Sequence, residues 1–471
     1  MKRVLLTAHK FFPEHRAGTE VLTLKIAQEL QRRGYEVKVV AACPPDLDAR
    51  RKVEHAAAGD SQDYVYEGVP VHIVGEALRL RDYEFSNEYY HPLIKRHFAG
   101  ILADFQPDIL QIVHAQNLSA SIIEAADERK IPVVFYSTDF WFVCPIVQLK
   151  RPDGQVCRGP GPMALKCLDC YTPKLLPPAA EVVEAVCSKY PPVASTMESA
   201  PALVKAGVGG ALNLAYNAMK GPGAVAATME RPGVLRKLAN RLKGIMVPTK
   251  LMRDIFVENG INQELITHVP FGIDTSKLEN HTKKVPADKL RIGFIGTFFE
   301  HKGVDLLIKA FLSLPAEPSS ELKLYGDPGQ FPEYFARLKK LVDEGGSRGK
   351  FVHFLGTFPN DTLGEVLEKI DVLVVPSRWY ENTPLVMQSA LATKTPLICT
   401  DLGGMAELVE DGENGLLFKL NDHRSLAEKL AILLKKPSEL ERFMSNIKPE
   451  RTVPDMVDDI ESVYSKVLPA L

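Results

Sequence analysis

One pattern occurs twice in this chain: a short apolar strand, a glycine-bearing loop and an amphipathic helix. In the first half, residues 4–8 read as a strand and lead into a loop with Pro13 and Gly18. A helix is predicted over 19–33, where Leu22, Ile26 and Leu30 recur every four positions and so share one face. Gly34 stops it, and 36–42 reads as the next strand. The second half repeats these events, with a strand at 291–295, a loop at 296–302 and a helix at 303–311. Further strands are expected at 109–113, 132–136, 244–247 and 266–270, and at 322–325, 351–355, 372–375 and 396–399. A strand followed by a helix reaches its neighbour through a crossover, which makes the pairing parallel. Two such runs predict an α/β protein with two doubly wound, Rossmann-like domains, which bind ligands at the carboxyl ends of their strands.

The polar, aperiodic stretch GIDTSKLENHTKKVPADK at 272–289 marks the junction. The expected division is therefore an N-terminal domain at 1–271, a C-terminal domain at 289–454 and a closing helix within 455–471. Between about 144 and 235 the alternation breaks into Pro-, Gly-, Ala- and Cys-rich sequence, the mark of an insertion. With 471 residues, 45% hydrophobic and 25% charged, the composition is that of an ordinary globular chain, and a net charge of −2 gives no reason to expect a nucleic-acid partner. The opening MKRVLLTAHKFFPEH has too short an apolar run for a signal core or a membrane span, so it reads as a buried strand and the expected location is cytoplasmic. Seven cysteines, an odd number, argue against a disulfide framework.

The most informative stretch is VVPSRWYENTPLVMQSALATKTPLICTDLGGMAELVEDGENGLLF, residues 374–418. A buried strand ends at Pro376 and Ser377, and a loop then delivers Glu381. Thr383 followed by Pro384 reads as an N-cap with proline at the first helical position. Proline has no N–H, so Leu385 and Val386 are the expected backbone donors for a diphosphate seated on that helix start. Glu381 beside it can accept hydrogen bonds from sugar hydroxyls; its alternative role is a first-turn acid favoured by the helix dipole. Lys302, in a strand–glycine-loop–helix unit, suits a phosphate, against the alternative of a solvated surface lysine. Gly296 and Gly303 fit positions where backbone geometry demands glycine. Asp139, in STDFWFVCP, is either a cleft acid or a local cap. His9, His114 and His301 have no evident partner and read as structural.

Cys144, Cys157, Cys167 and Cys170 form a C-x12-C-x9-C-x2-C pattern that suits a tetrahedral structural zinc; the alternatives are four reduced thiols in a loop or an iron–sulfur cluster. Residues 202–229 are apolar but glycine-broken, with basic residues following from Arg231 to Lys243. They read as a packed helical hairpin, with a peripheral contact on the inner membrane face and a lipid-linked acceptor as the alternative.

The stretch at 374–418, the loop GTFFEHKGVDLLIKAF at 296–311 and the opening FFPEHRAGTEVLTLKIAQELQRRGYEV at 11–37 together resemble the retaining GT-B glycosyltransferases of family 4, and the resemblance spans nearly the whole chain. It implies two Rossmann-like domains facing across a cleft, with the closing helix returning to the first domain. It also implies transfer of a sugar, with retention and without a catalytic metal, from a UDP- or GDP-linked donor to a glycan or lipid-linked acceptor, in cell-surface polysaccharide or glycoconjugate synthesis. By residue, Glu381 matches the first glutamate of the family's paired-glutamate motif, which contacts the donor sugar, and Lys302 the lysine that neutralises the diphosphate. Gly18 matches one glycine of the N-terminal pair, and Asp139 an acidic residue of the first domain's cleft. Four positions depart: Ser389 stands for the ribose-holding second glutamate, Thr297 for an arginine, Thr138 for a histidine and Ala17 for the other glycine. One charged hydrogen bond is worth about 1.5–3 kcal/mol, so serine at the ribose position implies donor binding weaker by roughly one to two orders of magnitude. These departures motivate a rival reading, a non-catalytic GT-B protein that binds a glycan or a partner enzyme. A phosphorylase or hydrolase of activated sugars is a third reading.

Overall fold

The computed structural model describes residues 2–42, 61–75, 78, 84–175, 202–315 and 319–468, with no side-chain description for 172–175 and 202–217. The chain divides into two compact units: Met1–His15, Tyr35–Gly244 and Ile255–Leu265 in one, Arg16–Gly34, Ile245–Asp254 and Ile266–Leu471 in the other.

The first sheet has eight strands in the order β3-β4-β2-β1-β5-β6-β7-β8. They are β1 (Arg3–Ala8), β2 (Glu36–Ala42), β3 (Gln62–Tyr66), β4 (Val69–Val74), β5 (Ile109–Ile112), β6 (Val133–Tyr136), β7 (Gly244–Val247) and β8 (Ile266–His268). β1 lies parallel between β2 and β5, with Thr7 level with Val40 on one side and Ile112 on the other. Val4, Leu5 and Leu6 are fully buried, as expected of a strand covered on both faces. The β3–β4 hairpin, which the sequence reading lacked, is antiparallel and turns at Glu67 (φ 44) and Gly68 (φ 81). Both central residues have positive φ, the geometry that matches strand twist in a two-residue hairpin.

Helices α1 (Gly18–Arg32), α2 (Pro92–Phe105), α3 (Ser121–Asp127), α4 (Leu165–Leu175), α5 (Ala202–Ala239) and α6 (Lys250–Glu258) belong to the first 271 residues. The predicted hairpin at 202–229 is instead part of one continuous helix, α5, which carries Pro222 and Pro232 inside it. Its glycines and prolines read as chain reversal in the sequence, yet the helix runs through them. Among the described residues no helix is long and apolar enough to cross a membrane.

The second sheet has six parallel strands in the order β11-β10-β9-β12-β13-β14: β9 (Leu290–Ile295), β10 (Ser320–Tyr325), β11 (Val352–Gly356), β12 (Val372–Val375), β13 (Leu397–Thr400) and β14 (Gly415–Phe418). Helices α7 (Val304–Leu312), α8 (Pro332–Glu344), α9 (Leu385–Ala392), α10 (His423–Lys435) and α11 (Val453–Val467) accompany it. Ile292, Phe294, Val372, Val374 and Ile398 meet Leu307, Phe311, Leu430 and Leu433 in one buried cluster. This strand-and-helix core is the reason the 2.0 and 3.6 periodicities were readable here. The closing helix α11 opens on a capping box between Thr452 and Asp455. Arg33 at the end of α1 bonds Asp458 at 2.6 Å and Glu461 at 2.5 Å on α11.

Candidate functional site

In each sheet, one strand has neighbours reached by chain connections running in opposite directions. β9 sits between β10 and β12, and β1 between β2 and β5. Loops leaving such a pair of strands diverge above and below the sheet and open a crevice at the carboxyl ends. Lys302 follows β9 and Glu381 follows β12, and the two strands are adjacent, with Val372 level with Ile292.

The loop after β9 can reach the end of β12 because residue 303 is glycine. Gly303 has φ +69, and a Cβ there would lie 2.0 Å from the carbonyl oxygen of Pro376. Both the left-handed backbone and the close approach exclude a side chain. Arg378 N–H donates to the His301 carbonyl at 2.7 Å, and Arg378 also pairs with Asp305 at 2.7 Å. Lys302 is thereby held against the 377–381 loop.

There the Lys302 ammonium meets Glu381 Oε1 at 2.5 Å. The same oxygen accepts from Ser377 Oγ at 2.9 Å and from Trp379 Nε1 at 2.7 Å. The Trp379 ring packs at a tilt against that of His301, with centroids 4.3 Å apart, and lies 5.5 Å from the Lys302 nitrogen. Burial alone would raise the Glu381 carboxyl; the Lys302 charge and the three hydrogen bonds outweigh it and hold the group below its ordinary value. Glu381 is therefore an anion at neutral pH, with one oxygen fixed by three donors. The two sequence-predicted residues meet, 79 positions apart. Ser377 and Trp379 were missed, although SRWYEN, packing polar and aromatic side chains directly after a buried strand, was a visible signal.

Four residues downstream of Glu381, α9 begins at Leu385, with Pro384 as its N-cap and no side-chain capping bond. This corrects the expected cap. Thr383 does not cap, and Pro384 (φ −60, ψ 120) is extended rather than helical. Leu385 and Val386 remain the first residues of the helix and line a cavity of about 320 Å³ together with Arg16, Gly18, Lys25, Asn360 and Ser389. Lys302, Glu381, Gly296 and Thr297 are not among its lining residues. A Cβ on Gly18 would sit 3.9 Å from Leu385 Cδ1, an ordinary contact, so internal packing does not by itself demand glycine there. Ser389 is buried and its hydroxyl donates to the Leu385 carbonyl at 3.0 Å. Gly296 donates its N–H to Tyr325 at 3.0 Å and packs its carbonyl against Gly326, where a Cβ would come within 2.3 Å. Thr297 is half-buried, its carbonyl accepting from Phe299 N–H at 2.9 Å.

Asp139 belongs to a separate cluster in the other unit. Its Oδ2 bonds His114 Nε2, and its Oδ1 accepts the Trp141 N–H at 2.9 Å. The partner corrects the reading of His114 as unpaired; β5 and β6 are adjacent, so residues just past their ends come together. Gln116 N–H donates to His114 Nδ1 at 3.0 Å, which assigns the proton to Nε2 when the ring is neutral. The His9 ring lies 4.3 Å from that of His114. Burial first, then His114, Lys10 and His15, hold His9 well below its ordinary value, so it is neutral at neutral pH.

Cys144, Cys157, Cys167 and Cys170 are all free thiols, Cys144 buried and the others half-buried. Among the described residues no three His, Cys, Asp or Glu side chains are gathered tightly enough to hold an ion.

Comparison with known proteins identifies the fold and the family. The family model for glycosyl transferases group 1 matches residues 276–450, and that for glycosyltransferase family 4 matches 16–151. An uncharacterized glycosyltransferase of Methanocaldococcus jannaschii, MJ1178, is 30% identical over 187 residues, 39% of this chain and 44% of its own length. The N-acetyl-alpha-D-glucosaminyl L-malate synthase of Bacillus anthracis is 28% identical over 240 residues, 50% of this chain and 59% of its own. The chain thus aligns with about half the length of these curated relatives. Anabaena HepE (Alr3699), whose crystal structure was determined in complex with UDP, superposes with a TM-score of 0.64 at 16% identity, covering 99% of this chain and 100% of that one. The fold is the two-domain Rossmann-like GT-B fold, and the chain belongs to the family 4 glycosyltransferases.

Proposed function

We propose that this protein transfers a sugar, with retention, from a nucleotide-sugar donor to a glycan or lipid-linked acceptor in cell-surface polysaccharide or glycoconjugate synthesis. The observation that carries the reading is the Lys302–Glu381 pair, held by Trp379 and Ser377 just ahead of the uncapped start of α9. Lys302 and the Leu385 and Val386 N–H groups supply positive potential for a leaving diphosphate. Glu381, kept ionised, accepts hydrogen bonds from hydroxyls of the donor sugar. On donor binding the Lys302 ammonium exchanges part of its contact with Glu381 for a phosphate oxygen. The leaving phosphate takes the acceptor proton, and Asp139, oriented by His114, serves the acceptor side. The UDP bound to HepE makes UDP-linked sugars the first donors to test, with GDP-linked sugars second. The division into domains at 1–271 and 289–454 with a closing helix in 455–471, and a cytoplasmic location with peripheral membrane contact, belong to the same proposal.

The test is a thermal-shift screen with nucleoside diphosphates and their sugars, followed by donor hydrolysis without acceptor. A ligand that binds the folded state raises the melting temperature. A transferase gives a shift with one nucleotide and slow donor turnover that Glu381→Gln abolishes. No shift with any nucleotide and no turnover would overturn the reading. One observation favours the rival, a non-catalytic GT-B protein: the buried Ser389 hydroxyl is spent on the Leu385 carbonyl, leaving no carboxylate for a ribose. That rival gives no turnover with any donor.

A further inference from the structure

Arg231 lies on α5, the long helix of the insertion, and in the sequence it opens the basic run that follows the apolar stretch. The fold withdraws it from that run, because its side chain is only 1% exposed. The guanidinium bonds in two directions. Nε pairs with Glu88 at 3.0 Å, and Nη2 donates to the Trp141 carbonyl at 2.8 Å. Glu88, at the end of the short turn Phe85–Glu88, accepts the Trp141 indole N–H on its other oxygen at 2.8 Å. The guanidinium carbon also stands 5.0 Å from the centre of the same indole ring. Arg231, Glu88 and Trp141 therefore close a ring of contacts, with Trp141 gripped at its carbonyl, its ring and its indole nitrogen.

That grip sets the direction of one more bond. Holding a residue's carbonyl and the far end of its side chain leaves little freedom in its backbone, so its own N–H points one way. The Trp141 N–H donates to Asp139 Oδ1 at 2.9 Å, while Ser137 Oγ donates to the Asp139 carbonyl at 2.7 Å. The other carboxylate oxygen, Oδ2, meets His114 Nε2. Trp141 is itself fully buried, and a hydrogen bond made away from water is electrostatically stronger.

Stability alone is a poor account of Arg231. Taking an ion pair out of water offsets much of what its attraction returns. Nη1 is in addition buried without a hydrogen-bond partner among the described residues, a cost that an apolar side chain would not carry. Burial opposes the charge, and Glu88 outweighs it and keeps the guanidinium protonated. A lysine would keep a charge there, but its single nitrogen lacks the planar fork that serves Glu88 and the Trp141 carbonyl together. What arginine adds is geometry.

We infer that Arg231 is a positioning residue: by clamping Trp141 against Glu88 it fixes the loop after β6 and aims the Asp139 carboxylate at His114. The inserted helix α5 thereby acts on the acceptor side through Trp141. Its effect on transfer rests on the acceptor-side role proposed for Asp139, whereas the clamp itself does not.

The clamp is read by proton NMR of the full-length protein. A His114 Nε2–H held by Asp139 exchanges slowly and gives a downfield imidazole resonance, assigned by its absence in His114→Gln. Arg231→Lys and Arg231→Met should broaden or remove it. The chain has two tryptophans, and the indole resonance of Trp379, which reports on the Glu381 cluster, should stay in place. If neither Arg231 variant folds, Glu88→Gln, which still accepts the indole N–H but no longer offers the guanidinium an anion, should weaken the His114 resonance in the same way. The kinetic readout is the ratio of transfer to hydrolysis, with UDP-glucose as donor and octyl β-glucoside as acceptor. A variant that merely folds less well lowers both rates equally and leaves the ratio unchanged. Loss of the clamp lowers the ratio by about 10- to 100-fold, the cost of a group about 1 Å out of place, with the donor KM unchanged. An unaltered His114 resonance in Arg231→Lys, or its absence from the parent, would overturn the clamp. An unaltered ratio with the resonance lost would overturn its role in transfer. A parent that turns over no nucleotide sugar loses the transferase reading and not the clamp, which the His114 resonance still decides.

Discussion

Lys302→Met is the most discriminating single change, because the structure dictates two effects with different pH signatures. The substitution removes the ammonium and keeps most of the apolar stem. Glu381 then retains only the bonds from Ser377 at 2.9 Å and Trp379 at 2.7 Å. Breaking a fully buried ion pair costs about 3–5 kcal/mol and an exposed one about 0–1 kcal/mol. With side chains 24% and 12% exposed, this pair lies between those limits, and a loss of about 1–3 kcal/mol at neutral pH follows. In the parent protein the Glu381 carboxyl is held below its ordinary value, so its stabilisation is present above the unfolded-state value and is lost as pH falls through the folded-state one. In the variant the Lys302 charge is gone and burial, which raises the carboxyl, carries more weight. Acidification then neutralises a poorly paired buried anion and relieves the variant. The stability gap measured by urea unfolding should therefore be widest near pH 7 and narrow toward about pH 4, close to the ordinary glutamate range. Nucleoside diphosphate affinity, read by calorimetry at neutral pH, should fall by about 10- to 150-fold, the equivalent of one charged hydrogen bond of about 1.5–3 kcal/mol. A stability gap independent of pH would refute the electrostatic account of the pair. Unchanged affinity in a folded variant would refute the phosphate role of Lys302.

Three other substitutions follow from the same geometry. Ser389→Glu places a carboxylate in the cavity that also holds Arg16 and Lys25, and should tighten binding of the matching nucleoside diphosphate by about 1–3 kcal/mol; weaker binding would mean a pocket rebuilt around serine, and unchanged binding would remove residue 389 from the ribose seat. Gly303→Ala forces a Cβ to within 2.0 Å of the Pro376 carbonyl at φ +69, so thermal unfolding should show a loss of at least about 1–3 kcal/mol; a loss under half of that would mean the loop yields freely. Thr383→Ala should leave stability within about 0.5 kcal/mol because Thr383 makes no cap, whereas Thr452→Ala, which breaks the capping box of α11, should cost about 1 kcal/mol by the same unfolding assay; the reverse order would contradict both assignments.

What the sequence made legible follows from the range of the interactions involved. Strands and helices of the second unit were readable because their periodicity reports burial against one core, as in Ile292, Phe294, Leu307 and Phe311. The β3–β4 hairpin escaped because its turn is Glu67-Gly68 rather than a strong turn pair such as Asn-Gly, and glutamate at φ 44 has no local signature. The start of α9 was misplaced by one residue for a related reason. A proline after threonine fits both the first helical position and an extended cap, and only ψ of 120 at Pro384 separates them.

The site residues were legible to the extent that topology forces them together. Lys302 follows β9 and Glu381 follows β12; these are neighbours because the chain reverses its winding direction at β9. Any ligand-binding side chains on those two loops must converge, which is why motif positions 79 residues apart end 2.5 Å from each other. The same argument applied to β5 and β6, joined in register at Ile112 and Phe135, brings His114 to Asp139. The sequence neighbours of His114 do not show that pairing; the strand each residue follows does. Trp379 and Ser377 had no such handle. Their role is to fix one oxygen of Glu381, and a side chain that acts by orienting another leaves no spacing rule in the sequence. The run SRWYEN marks the loop in the sequence, but only the folded chain shows which of its side chains fix the carboxylate, and here Ser377 and Trp379 keep a half-buried carboxylate charged next to the lysine it must share with a diphosphate.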